Sequence, residues 1–208
     1  ALGEMMALLD CISQPPQMDL RGLELCTLVQ SIQAQAEQIQ QSLGVELRVE
    51  YPTHPCMTLG DWARAEEICL QLLSNALRAC RSGGRVELFL CPDGEGWQLR
   101  VEDNGCGLPG AGGDPLQNRR CFLGGAGAGL LLCQAYCTQL GWELELAPRL
   151  HQGTQAIVRI PGEKALGEGG TIWLAEPAPQ VLEQCRYQMA QRVRQELLLL
   201  EEQDRKLL

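Results

Sequence analysis

Three short segments of the chain combine polar residues and glycines in patterns that could do chemistry. Gln71, Asn75 and Arg78 recur at helical spacing, so one face of a helix would present all three side chains. The segment Asp103–Gly107 (DNGCG) leaves an alternating strand, and the segment Gly125–Leu130 (GAGAGL) enters an apolar helix. Each pattern alone is common in turns and helices, but the combination is much more specific.

Together the three segments suit a nucleotide that is bound with a metal ion. Gly127 and Gly129 allow backbone N–H groups to approach a phosphate at a helix N-terminus, where the helix dipole favours anions. Asn75 offers a neutral oxygen ligand for Mg²⁺, and Arg78 can pair with a phosphate. Asp103 supplies an acceptor for the exocyclic amine of adenine.

Two common phosphate-binding motifs are absent from the sequence. There is no GxxxxGK[ST] loop, and the glycine-rich loop follows two strands in mid-chain instead of opening a βαβ unit. Gly105 and Gly107 are better explained as positions where the chain passes beside the adenine ring.

The composition excludes several classes of protein. Among 208 residues, 17 Lys+Arg against 26 Asp+Glu leave a net charge of −9, which argues against a nucleic-acid-binding protein. No stretch approaches about 18 uninterrupted apolar residues, as a membrane-spanning helix needs. The 11 cysteines are scattered without a CxxC motif. We expect reduced, structural thiols and a cytoplasmic location, with any membrane anchor of a longer parent protein outside this sequence.

Hydrophobic periodicity predicts the elements that position these residues. It predicts helices over 20–43, 62–81 and 130–140, the first capped by Asp19 and ended by Gly44. The predicted strands cover 45–51, 85–91, 97–102, 142–147 and 154–160, and the second and third form a hairpin. This order predicts an α/β fold, a two-layer α/β sandwich with a mixed sheet and helices on one face. A C-terminal helical extension is predicted to follow.

The same segments resemble the sequence boxes of the histidine-kinase catalytic domain. LLSNALRAC resembles its N box, VEDNGCGLP its G1 box and GAGAGLLL its G2 box, and GTQAIVRIP resembles its terminal strand. The resemblance runs from about residue 43 to residue 161. It implies the Bergerat (GHKL) ATP-binding fold and a sensor histidine kinase of a two-component system, with ATP and Mg²⁺ as cofactors.

The resemblance also implies roles for individual residues. Asn75 would be the Mg²⁺ ligand, Asp103 would recognise adenine, and Thr154 would support Asp103 through its hydroxyl and a water. Gln71 and Arg78 are the candidate catalytic residues. The implied ATP-binding residues are Asn75, Arg78, Asp103, Gly105, Gly107, Gly125, Gly127, Gly129, Leu130 and Thr154.

The sequence departs from the family pattern at several positions. Gln71 stands where the family often has Asn, and it cannot act as the base that hydrolytic relatives use to activate water. Ala79 and Ala128 replace residues that are often larger. The lid, about 108–124, is short. These departures leave open the alternative of a non-catalytic regulator that binds nucleotide weakly or not at all and acts through protein contacts.

The histidines do not fit a phosphoacceptor. His54 lies in YPTHP and His151 in RLHQG, and neither is followed by an acidic residue. We therefore expect the acceptor histidine outside this chain.

Residues 1–18 are interpreted as the end of a dimerisation helix and a linker, 19–161 as the ATP-binding catalytic domain, and 162–208 as a linker, a short strand and a long helix. The expected partners are a response-regulator receiver domain and the upstream dimerisation domain of a homodimeric parent. An anti-sigma serine kinase is a more distant alternative.

Overall fold

The computed structural model of the chain describes residues 18–80, 82–107, 128–149 and 152–162. Ten helices and strands are found there. In chain order they are β1 (Arg21–Glu24), α1 (Leu25–Leu43), β2 (Glu46–Glu50), β3 (Met57–Gly60), α2 (Trp62–Ala79), β4 (Arg85–Asp93), β5 (Gly96–Asp103), α3 (Ala128–Leu140), β6 (Glu143–Pro148) and β7 (Thr154–Ile160).

Five strands form one mixed sheet in the order β2-β4-β5-β7-β6. β2 pairs parallel with β4, whereas the other three pairings are antiparallel. A separate antiparallel pair joins β1 to β3. The mixed sheet predicted from the order of elements is confirmed.

The core lies between the sheet and the helices. Val86, Leu88 and Leu90 alternate along β4 and are at most 3% exposed, and they join one buried cluster with residues of all three helices. The residues between them, such as Glu87 and Phe89, face the other side of the sheet and are only half-buried. The helices therefore cover one face of the sheet, as the two-layer prediction requires.

The beginning of the domain differs from the prediction. Asp19 does not cap α1; Glu24 does, and its carboxylate accepts from the backbone N–H groups of Cys26 and Thr27 at 3.1 and 2.6 Å. Residues 21–24 form β1 because β3, which the sequence analysis did not predict, supplies its hydrogen-bonding partner. Gly44, at φ 61°, ends α1 as expected.

Other expectations are tested only in part. Seven described cysteines are free, but Cys106 is disulfide-bonded, so the prediction of reduced thiols is wrong there. Pairing of sulfurs depends on tertiary proximity, which sequence spacing does not reveal. No helix of the described ranges is long and apolar enough to cross a membrane. The predictions for residues 1–17, for the lid and for 163–208 lie outside the described residues.

Candidate nucleotide site

Helix α2 presents the predicted polar face. Asp61 caps its N-terminus by accepting from the backbone N–H of Arg64 at 3.1 Å. Further along the helix, the guanidinium Nη2 of Arg78 donates to Asn75 Oδ1 at 2.7 Å. Gln71 is 3% exposed, and its amide donates to Glu67 Oε1 at 3.1 Å. The spacing of these residues thus produces a row of hydrogen-bonded side chains on one helix face.

Asn75 is the member of this row with spare hydrogen-bonding capacity. Its amide nitrogen Nδ2 is buried and has no hydrogen-bond partner in the described part of the chain. Its Oδ1 accepts one bond from Arg78 and retains a second lone pair. Because an unsatisfied buried donor costs free energy, a group that accepts from Asn75 would stabilise this face.

Asp103 ends β5 and is 4% exposed. Its Oδ1 accepts from the backbone N–H groups of Gly105 at 2.8 Å and Thr154 at 3.2 Å. Burial raises the pKa of the Asp103 carboxyl, although the two N–H groups and Arg149 oppose the shift. Among the described residues Oδ2 has no hydrogen bond, so it can accept from a ligand.

A close backbone contact joins the turn after β5 to the end of α2. A Cβ atom on Gly105 would lie 2.3 Å from the carbonyl oxygen of Ala79, which is too close for any other residue. The same oxygen accepts from the N–H of Cys106 at 3.1 Å. Because Ala79 directly follows Arg78, this contact brings the face of α2 with Asn75 and Arg78 to the end of β5 that holds Asp103.

The thiol of Cys80 lies beside this junction. It donates to the carbonyl of Arg85 at 3.6 Å and to Asn104 Oδ1 at 3.7 Å. Burial is the main cause, and the nearby Asp103 carboxylate the second, of a rise in the pKa of Cys80 to about 11. The thiol therefore stays protonated and unreactive at neutral pH.

The first turn of helix α3 lies close to the middle of α2. A Cβ atom on Gly129 would lie 2.6 Å from Gln71 Oε1, and Leu130 packs half-buried against the core. Gly129 thus allows α3 to lie close to the helix that carries Asn75. Gly125 and Gly127 lie outside the described residues, as do the lid and His151.

Thr154 contacts Asp103 through its main chain. The backbone N–H of Thr154 donates to Asp103 Oδ1 at 3.2 Å, while support from its hydroxyl through a water stays a prediction. Gly153 before it is at φ 104°, and a Cβ atom there would lie 1.9 Å from the carbonyl oxygen of Asp103. The close approach of β7 to Asp103 thus places the main chain of Thr154 within hydrogen-bonding distance of the carboxylate. Gly107 is also at positive φ, in the left-handed region that favours glycine.

Sequence reasoning missed Arg149, which braces the Asp103 strand end. Its Nη1 donates to the carbonyl of Asp103 at 3.3 Å, and its Nη2 lies 2.8 Å from Glu102 and 3.6 Å from Glu87. Glu87 and Glu102 are direct cross-strand partners. Because like charges opposite each other are destabilising, the hairpin register was a signal that a cation must lie there.

His54 lies at the other end of the sheet. It is exposed in the loop after β2, and its ring centroid is 5.8 Å from that of Trp97. Trp97 and Asp103 are six residues apart on β5, which separates them by roughly 20 Å at about 3.3 Å per residue. His54 is therefore far from the candidate site of its own chain.

The mixed sheet, its single helical layer and the buried carboxylate at a strand end are features of an α/β nucleotide-binding sandwich. The family described as "Histidine kinase-, DNA gyrase B-, and HSP90-like ATPase" matches residues 60–164, half of the chain, and the chain belongs to this family.

The curated relatives of the chain include sensor proteins. The chain is 33% identical over 116 residues to the sensor protein TorS of Escherichia coli K12, a match covering 51% of this chain and 12% of TorS. It is 32% identical over 158 residues to the alginate biosynthesis sensor protein KinB of Pseudomonas aeruginosa, covering 70% of this chain and 26% of KinB. The chain thus spans about an eighth to a quarter of the length of these relatives.

Solved structures agree on the fold. The histidine kinase AdeS of Acinetobacter baumannii superposes with a TM-score of 0.62 at 16% identity, over 78% of this chain and 77% of that chain. ShkA, solved in complex with AMPPNP, gives 0.64 at 18% identity, over 77% of this chain and 35% of that chain. The expected resemblance to histidine-kinase catalytic domains is confirmed.

The arginine brace predicts a measurable coupling. Arg149→Met should destabilise the domain by about 1 kcal/mol, because Glu87 and Glu102 lose the one cation of the described residues that contacts both. Arg48, 4.0 Å from Glu87, and Arg100, 2.9 Å from Glu102, still offset part of the repulsion, and solvent screens Arg149, which is about a third exposed. Urea unfolding measures the loss of stability. Adding Glu87→Gln to Arg149→Met should recover part of the loss, whereas an unchanged midpoint in the single variant would contradict the brace.

The buried carboxylate predicts a pH-dependent stability difference. Because burial raises the pKa of Asp103, the folded state bears the cost of a buried charge above that pKa and loses the cost as the pH falls through it. Asp103→Asn can keep both backbone hydrogen bonds without the charge. Without nucleotide, the variant should unfold at equal or higher urea than the parent at pH 8, and the difference should shrink on acidification. The prediction would be contradicted if the stability of the variant relative to the unmutated chain were lower at pH 8 than at acid pH.

Proposed function

We propose that this chain binds ATP with Mg²⁺ and acts as the catalytic domain of a sensor histidine kinase. The observation that supports the proposal most directly is the Asp103 carboxylate. One of its oxygens is fixed by two backbone N–H groups while the other is left to accept, which suits the exocyclic amine of adenine. Guanine presents a carbonyl oxygen at the same position, so its nucleotides would meet repulsion.

The phosphate end of the site is assigned to the face of α2. The Arg78 guanidinium can exchange its bond to Asn75 for a charge-assisted bond to a phosphate. Asn75 Oδ1 is then free to hold Mg²⁺, and the unpaired Nδ2 of Asn75 can donate to a phosphate oxygen. Mg²⁺ would neutralise charge on the phosphates. Gly125, Gly127 and Gly129 are proposed to hold the phosphates through backbone N–H groups, with Gly105, Gly107 and Leu130 around the nucleotide.

The reaction we propose is transfer of the γ-phosphoryl group to a histidine outside this chain. An imidazole nitrogen forms the new P–N bond as the bond from the γ-phosphorus to the bridging oxygen breaks, and ADP leaves. Catalysis is then largely positioning and charge neutralisation. Gln71, an amide, offers no base for activating water, which favours transfer over hydrolysis.

The wider assignment follows from the resemblance to sensor kinases. Residues 19–161 are proposed as the catalytic domain, 1–18 as the end of a dimerisation helix with its linker, and 162–208 as a linker and helical extension. The phosphoryl group is then passed to the receiver domain of a response regulator. We propose that this chain belongs to a longer, homodimeric protein that places the domain in the cytoplasm, with or without a membrane anchor elsewhere in that protein. Folded protein that fails to bind ATP or ADP in calorimetric titration would refute the proposal and leave the non-catalytic regulator.

The adenine assignment predicts a change of nucleotide preference. Asp103→Asn should weaken ATP binding by about 5- to 150-fold, equivalent to ~1–3 kcal/mol, because the amide can turn a donor towards the adenine amine. The same donor suits the carbonyl of guanine, so discrimination against GTP should fall. Calorimetry with ATP and GTP measures both. Asp93→Asn, exposed at the far end of the same hairpin, is the matched control and should change neither. Equal binding of ATP and GTP by the unmutated chain would rule out adenine recognition by Asp103.

The metal assignment predicts an effect that depends on Mg²⁺. Asn75→Ala should weaken ATP binding at least tenfold in Mg²⁺ and far less in EDTA, because the ligand oxygen matters only when the ion is bound. Titrations under both conditions, with a melting curve as the folding control, test this. A loss as large in EDTA as in Mg²⁺ would contradict the metal assignment and leave Asn75 with only the proposed Nδ2 bond to a phosphate, or with a folding role.

The position of His54 predicts that it is not a phosphoacceptor. With [γ-³²P]ATP, the unmutated 208-residue chain and its His54→Ala variant should incorporate equally little label, because His54 lies at the opposite end of the sheet from Asp103. Autoradiography after alkaline electrophoresis, which preserves phosphohistidine, detects the product. Label that disappears in His54→Ala would overturn the assignment.

A further inference from the structure

A second cluster of reactive side chains lies where β1 passes into α1. A carboxylate oxygen of Glu24 and the Sγ atoms of Cys26 and Cys56 all lie within 4.8 Å of one another. Cys26 is 7% exposed and Cys56 is fully buried, and both are free thiols. Two thiols and a carboxylate that converge on one point form a donor set for a metal ion.

The backbone holds these side chains in place without help from the thiols. Glu24 pairs with Met57 across the β1–β3 ladder, and the N–H of Leu25 donates to the carbonyl of Cys56 at 2.9 Å. Glu24 Oε1 accepts from the N–H groups of both Cys26 and Cys56, at 3.1 and 2.9 Å. Main-chain hydrogen bonds therefore hold the Glu24 carboxylate and the backbone of both cysteines in place.

The thiols themselves make only weak bonds. The Sγ of Cys26 lies 3.5 Å from the carbonyl of Pro52 and 3.6 Å from that of His54, and the Sγ of Cys56 lies 3.4 Å from the same His54 carbonyl. A thiol is a weak donor, so little hydrogen-bond energy is lost when the sulfurs turn to a cation.

We propose that Cys26, Cys56 and Glu24 form a binding site for a thiophilic divalent cation of the Zn²⁺ type. Two thiolates at about 2.3 Å from a tetrahedral ion are roughly 3.8 Å apart, which is inside the 4.8 Å limit on the separations of the ligand atoms in this cluster. Hard cations such as Mg²⁺ and Ca²⁺ prefer oxygen donors and do not fit the sulfurs. On binding, each thiol forms an S–metal bond and releases its proton to solvent. Water completes the coordination.

The carboxylate serves two purposes in this site. Besides its bonds from Cys26 and Cys56, Glu24 accepts from the N–H and hydroxyl of Thr27, both at 2.6 Å. These bonds orient the carboxylate, but together they fill its acceptor sites, so an ion binds only when one of them, such as that from the Thr27 hydroxyl, is given up. The ion would then tie the first turn of α1 to the residue that precedes β3.

The metal site is separate from the nucleotide site. The indole nitrogen of Trp97 donates to the carbonyl of Met57 at 2.9 Å, so the cluster lies near the Trp97 end of β5 and Asp103 lies at the other. The inference does not depend on the proposed kinase function.

The test is titration of the full 208-residue chain, reduced and metal-free, with Co²⁺ followed by Zn²⁺. We expect a thiolate-to-cobalt charge-transfer band that saturates at one equivalent and disappears when Zn²⁺ displaces the cobalt. Cys26→Ser/Cys56→Ser should lose the band, whereas Cys91→Ser, a half-buried free thiol of β4, should keep it. Glu24→Gln should weaken binding by more than about tenfold, the loss typical of removing only an outer partner, because Glu24 is a direct ligand and a neutral amide oxygen binds a cation less strongly than a carboxylate.

A second measurement needs no variant. Zn²⁺ should protect Cys26 and Cys56 of the parent chain from alkylation, as mapped by peptide mass spectrometry, while labelling of Cys91 stays unchanged. Protection of other cysteines only, a cobalt band that survives in the double variant, or a Cys26–Cys56 disulfide with no metal uptake after reduction would each overturn the proposal.

Discussion

The candidate site depends on one steric constraint, the contact between the turn after β5 and the last turn of α2. Only a residue without a side chain can stand at Gly105, because the carbonyl oxygen of Ala79 occupies the space of a Cβ atom. That oxygen also accepts the N–H of Cys106, so the approach is held by a hydrogen bond. Gly153 allows the equivalent approach from the side of β7. Between these two glycines the Asp103 carboxylate is buried, oriented and placed beside the helix that carries Asn75.

Local patterns predicted most of the fold. Alternating apolar residues in the hairpin, such as Val86 and Leu88, marked the strands because one face of the sheet is buried and the other is not. Gly44 marked the end of α1 because the helix ends there in a left-handed conformation. The positions of Asn75 and Asp103 were likewise readable from short spacings, since each is placed by a single helix or strand.

The features that were missed are tertiary. Glu24 caps α1 in place of Asp19 because β1 takes residues 21–24 and the helix begins only at Leu25. The Glu24 carboxylate also accepts from the N–H of Cys56, 32 residues away. β1 and β3 are four residues each and carry little periodicity, so only their pairing defines them. Arg149 directly follows β6, a strand that is not paired with β5, and reaches Asp103 from there. The role of the Thr154 main chain depended on the close approach of two backbones. None of these contacts is encoded within one element.

The charged outer strands bear on how the domain behaves beside other copies of itself. β2 and β6 are the two edges of the five-stranded sheet, and an unpaired edge can template pairing with another chain. β2 exposes Glu46, Arg48 and Glu50, and β6 exposes Glu143 and Glu145 before ending at Pro148. A second β6 aligned along this edge would meet carboxylates with carboxylates, and Pro148 has no N–H to offer. Two such domains can therefore be held at high local concentration without fusing their sheets into an aggregate.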